Sequence, residues 1–130
     1  MIKREKPPVW DKLVKAFGVE WGTICVAYDK DIYCGDKANL STDVIVHESV
    51  HLARQEKDPV GWWTRYVKDK EFRFGEEVLA YHAQYDYLKN NVMDRNRLAR
   101  YLFNLARDLS GPMYGNVVSY SEAMRLIKIK

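Results

Sequence analysis

The stretch His47-Glu48-Ser49-Val50-His51 combines residue types and a spacing that serve one chemistry. Four residues advance a helix by about 400°, so His47 and His51 share a face one turn apart. Two neutral imidazoles at that spacing grip one zinc ion. Glu48 stands three residues before His51, to the side of the pair. Its carboxylate can reach a metal-activated water without becoming a ligand. Two of the chain's three histidines fall in this one stretch.

A zinc site that does catalysis takes three protein ligands and keeps one position open. In the pattern HExxHxxGxxH the glycine and third histidine would stand at Arg54 and Lys57, so that branch is excluded. The remaining histidine is His82. The other source is an acid on a later helix, and Glu76-Glu77 in Glu76-Glu77-Val78-Leu79-Ala80-Tyr81 offers two. Glu77, Tyr81, Gln84 and Leu88 form one helical stripe, which favours Glu77. Glu76 and His82 stay as alternatives, and a solvated acidic first turn is the ordinary reading of the pair.

This arrangement resembles the gluzincin type of zinc metallopeptidase. There HExxH is followed, some twenty or more residues on, by a helix with a Glu and, four residues later, an Asp that braces the histidines. The resemblance implies His47, His51 and Glu77 as zinc ligands and Glu48 as general base. Glu-x-x-Ala-Tyr at Glu77–Tyr81 matches the spacing of Glu-x-x-Ala-Asp, except that Tyr81 replaces the Asp. A phenol orients an imidazole less firmly than a carboxylate. Hydrolysis also needs a donor for the developing oxyanion. Tyr66, Arg65, Arg73, Tyr81 and His82 are candidates, with Tyr66 ranked first. The stretch Trp62-Trp63…Arg65-Tyr66…Arg73 is similar to small zincin-like proteins of tailed bacteriophages and bacteria, which implies a bacterial or phage-infected cytoplasm and leaves virion assembly open.

The elements that must hold these residues can be read from periodicity. Pro8 opens a helix carrying Val9, Trp10, Leu13, Val14 and Phe17, and Gly18 stops it. Residues 23–28 and 31–34 read as strands around an Asp29-Lys30 turn. That register sets Tyr28 against Asp31 and Cys25 against Cys34, a non-hydrogen-bonded position where a disulfide fits. In a cytoplasm the default is two reduced thiols. Residues 35–40 read as a turn or a third edge strand. Ser41 or Thr42 caps the HExxH helix, which runs to about Gln55 with Val44, Val46 and Val50 burying its back. Asp58-Pro59 breaks it. Further helices are predicted over 62–67, 72–88 and 94–109, the last with Leu98, Leu102, Leu105 and Leu109 on one face. Ser119-Tyr120-Ser121-Glu122 is a capping box for a final short helix. Of Trp62 and Trp63, at least one is expected in the core.

The fold class expected is therefore α+β and mostly helical: a minimal zincin-like domain with a small hairpin or three-stranded sheet on the HExxH helix. With 130 residues the chain fits a single domain, 1–130. Its 47% apolar and 30% charged composition excludes wholesale disorder. A net charge of +3 is too small to argue for nucleic acid by itself, although the basic residues lean toward the C-terminal part. Residues 1–10 begin basic, but Pro7-Pro8 follows where a leader would be apolar, and no run has the length of a membrane span. The function expected is a Zn2+-dependent peptidase acting on a peptide or protein substrate. The alternative is a non-catalytic zincin-like interaction protein that keeps zinc for stability, and a nucleic-acid-binding module ranks third.

Overall fold

Asp29 takes a left-handed conformation, φ 59°, and lets the chain reverse in two residues although no glycine stands in the turn. The strands it joins, Cys25–Tyr28 (β2) and Asp31–Cys34 (β3), pair antiparallel with Tyr28 opposite Asp31 and Cys25 opposite Cys34, the expected register. A third strand completes the sheet, and it does not come from residues 35–40. Ile2–Lys3 (β1) lies parallel to β3, with Ile2 opposite Ile32, giving the order β1-β3-β2. Two residues are too few to show alternation, so the N-terminal strand carried no sequence signal. The 35–40 segment turns instead. Lys37 donates its N–H to Gly22 (2.8 Å), and a side chain at Gly35 would strike the Gly22 backbone. The Arg4 guanidinium donates to the Gly35 and Ala38 carbonyls and ties this turn to the N-terminal segment.

The structure, a computed structural model, describes residues 1–129. It is mostly helical with the small mixed sheet, as expected for its fold class. The chain forms two compact units, 1–69 and a second from Lys70 onward.

In the first unit, Trp10–Phe17 (α1) begins two residues after Pro8 and ends on Gly18, whose left-handed φ of 63° lets its N–H reach the Val14 carbonyl. Thr42–Gln55 (α2) starts from Ser41 and packs on β2 and β3. The residues that seat it are Ile45 and Leu52, against Ile32, Cys34 and Ala38. The three valines named from sequence are only half-buried. Pro59–Lys68 (α3) starts earlier than periodicity indicates. Pro59 occupies its first turn, and the Asp58 carboxylate accepts from the Gly61 N–H at 3.0 Å. A side chain at position 61 would meet the Asp58 carboxylate and push it out of this cap.

The second unit is helical. Lys70–Asn91 (α4), Arg95–Leu109 (α5) and Tyr120–Ile129 (α6) pack on one another, with a single 3-10 turn at Pro112–Tyr114. Their shared core includes Tyr85, Leu88, Leu102, Leu105, Leu109 and Ile127. Asp94 caps α5 by accepting from the Asn96 and Arg97 N–H groups. Half of the capping box forms. The Glu122 N–H donates to Ser119 Oγ at 3.2 Å, while the Glu122 carboxylate turns to Arg125. No helix among the described residues is long and apolar enough to cross a membrane.

Candidate metal centre

Asp43, His47, His51 and Gln55 recur every fourth residue of α2, and all four are buried. An ordinary amphipathic helix hides an apolar stripe. This one hides polar groups, with Glu48 buried beside them. The His47 and His51 rings lie 5.0 Å apart at 80° to each other. Glu48 Oε2 is 3.7 Å from His47 Nε2. At the end of the helix the Gln55 amide donates to the Ala27 carbonyl (2.9 Å) and accepts from the Asp29 N–H (2.8 Å). Gln55 thus pins α2 to the hairpin turn and fixes the rotation at which the histidines are presented.

The aromatic residues of α3 form the wall beside His51. Trp62 stacks on Tyr66 with centroids 5.0 Å apart, and the His51 ring sits 5.4 Å from Trp62 and 6.5 Å from Tyr66. Both tryptophans are buried. Trp63 is anchored by its indole N–H, which donates to the Ala27 carbonyl at 3.0 Å. The hairpin, α2 and α3 are therefore bound through one peptide carbonyl.

Along α4 the first half buries Arg73, Glu76 and Glu77, and the second half buries Tyr81, Gln84, Tyr85 and Leu88. Glu76 and Glu77 are each 3% exposed, which removes the reading of a solvated first turn. The stripe Glu77, Tyr81, Gln84, Leu88 is buried throughout, as its spacing predicts.

His47, His51 and Glu77 each offer one ligand atom, and the three atoms lie within 4.8 Å of one another. Glu76 and His82 are not in this group. The His82 Nδ1 atom instead bonds the Ile127 carbonyl at 2.7 Å, which gives that ring a packing role against α6. Two imidazoles and a carboxylate suit zinc and other borderline divalent ions. The donor set therefore fits a divalent cation.

Tyr66 is 3% exposed and belongs to the aromatic wall. Arg65 is exposed and pairs with Asp69 at 3.9 Å. Tyr81 OH lies 3.3 Å from Tyr114 OH, and the two rings meet edge to face. Cys25 and Cys34 are free thiols facing each other across the sheet. Burial pushes the Cys25 thiol above its usual range, helped by a hydrogen bond with Cys34 and by the nearby negative charge of Glu48. Sequence reasoning missed Asp43 and Gln55. Their four-residue recurrence with the histidines was the signal that could have found them.

No protein-family model, curated protein or solved structure matches the chain, so the meaning of this site rests on its own residues.

Proposed function

We propose that the chain is a zinc-dependent peptidase of the gluzincin type, with His47, His51 and Glu77 holding the metal. The observation that carries this reading is the approach of those three ligand atoms to within 4.8 Å of one another. Glu48 gives it a catalytic sense, since a purely structural site has no use for a buried base beside its ligands. A zinc ion bound there would supply Lewis acidity and lower the pKa of its bound water toward about 7. Glu48 takes the proton of the attacking water and returns it to the departing amine. The carbonyl oxygen gains negative charge as the water adds, and Tyr66 is the candidate to donate a hydrogen bond to it. The substrate is a peptide or protein, and the working compartment is the cytoplasm of a bacterium or phage-infected cell.

One observation favours a second reading. His47, His51 and Glu77 are 8%, 4% and 3% exposed, deep for groups that must meet a peptide. A metal bound there for stability alone, in an interaction protein or a virion component, accounts for that depth.

Elemental mass spectrometry of protein purified without chelator, run beside an assay of casein hydrolysis, separates the readings. About one zinc per native chain, its loss in Glu77→Ala and chelator-sensitive hydrolysis support the peptidase. Zinc without hydrolysis moves the assignment to the structural site. No zinc, and none taken up on titration, removes both.

A further inference from the structure

The second unit carries all of the chain's positive balance. From position 70 onward ten Lys and Arg stand against seven Asp and Glu, whereas positions 1–69 are neutral at eleven of each. Two of those seven acids, Glu76 and Glu77, are buried. The excess gathers on α5. Its apolar face (Leu102, Leu105, Ala106, Leu109) is buried in the core, and its outer face presents Arg95, Arg97, Arg100 and Arg107.

Arg97, Arg100, Tyr101 and Asn104 line an open cleft on that face. They stand at i, i+3, i+4 and i+7, so one stripe of the helix supplies the whole lining. Arg107 is engaged with Asp108 at 3.6 Å. No side-chain hydrogen bond or ion pair engages the guanidinium of Arg97 or Arg100 among the described residues. Both charges are left available to a ligand.

We propose that this face of α5 binds single-stranded nucleic acid, a role separate from the metal centre. Each component of the cleft matches a part of that ligand. The planar guanidinium forks of Arg97 and Arg100, one turn apart, fit two phosphates of one backbone. The half-buried Tyr101 ring beside them is a platform on which a base stacks. The Asn104 carboxamide both donates and accepts, as a base edge requires. A membrane surface fits less well, because the apolar stripe of α5 is used in the core and the exposed Phe103 ring packs against Tyr120, leaving no apolar stripe to insert.

The test is fluorescence anisotropy of the full chain with a labelled thymidine oligomer of about 20 nucleotides. Binding is expected to saturate at 50 mM salt and to weaken about ten-fold by 200 mM, as two or three phosphate contacts on a single strand dictate. The double variant Arg97→Ala/Arg100→Ala should weaken it at least ten-fold. Tyr101→Leu, which keeps the packing, should weaken it about five-fold. A Lys12→Ala/Lys15→Ala control on α1 should bind as the native chain does. All of these replacements are at exposed or half-buried positions, and circular dichroism confirms that each variant is folded. The proposal is overturned by absence of saturable binding, or by equal losses in the α1 control and the α5 double variant. Duplex bound as tightly as the single strand overturns it, as does capture by anionic phospholipid vesicles without binding of the oligomer.

Discussion

Helices α2 and α5 are nearly the same length, 14 and 15 residues, and hide opposite chemistry. α5 buries Leu102, Leu105, Ala106 and Leu109 and keeps its charges in water. α2 buries Asp43, His47, Glu48, His51 and Gln55. A hidden apolar stripe is favourable at about 25 cal/mol per Å² of apolar surface removed from water. A hidden polar stripe costs free energy unless its groups find partners. The α5 face is therefore accounted for by stability. The α2 face instead presents His47 and His51, two of the three donors that could hold a metal ion.

If that contrast is right, the two helices should fail in different ways. The largest effect belongs to Glu48→Gln. It should lower peptide hydrolysis by a factor on the order of 10² to 10⁴ while zinc content and thermal midpoint stay near native. Metal loss in that variant would mean that Glu48 holds the site together rather than working in it. Next in size is removal of the ion. Stripping zinc with a chelator should lower the calorimetric midpoint by on the order of 10 °C, since a ligand at a thousand times its Kd stabilises the folded state by about 4 kcal/mol. An unchanged midpoint would mean that α2 does not depend on metal.

The contrast sharpens in the metal-free protein, where urea denaturation can compare two truncations. Leu109→Ala on α5 should cost about 2–5 kcal/mol, because Leu109 is fully buried and its neighbours cannot close the space. His47→Ala on α2 should cost on the order of 1 kcal/mol. Equal costs would show that the α2 face is built for packing after all.

The smallest effect concerns the thiols beside Glu48. The Cys25 thiol is held above its usual range in the folded chain, mainly by burial. A raised folded value stabilises the fold below the unfolded thiol value, near pH 8.5, and that contribution is lost as the pH climbs past it. The urea midpoint should therefore fall between pH 8 and pH 10, and fall less in Cys25→Ser. A midpoint that drops equally in both would assign the alkaline loss to other groups.

Much of this was legible in the sequence, because it depends on local rules. The Cys25–Cys34 register follows from a two-residue turn and the alternation of a strand. The α5 helix follows from its four-leucine stripe, Leu98, Leu102, Leu105 and Leu109. The HExxH pair follows from helical geometry alone. Elements without a local signature were not legible. β1 is two residues long and exists only because β3 offers it an edge. α3 starts at Pro59 because Asp58 caps Gly61, a contact that apolar periodicity does not report.

The division at the metal centre has the same cause. His47 and His51 are four residues apart on one helix, so their common face is fixed wherever that helix lies. Glu76 and Glu77 differ by 100° of rotation on another helix, and spacing alone could rank them but not choose. Burial of both acids, and the presence of Glu77 rather than Glu76 in the group of ligand atoms, are long-range facts. Spacing also leaves His82 as an alternative ligand, and it is the Ile127 carbonyl, 45 residues further along the chain, that holds its ring. Covalent spacing determined which residue types could share a helix face. Only tertiary packing decided which of them lost their water, and it is the loss of water that turns a set of polar side chains into a site.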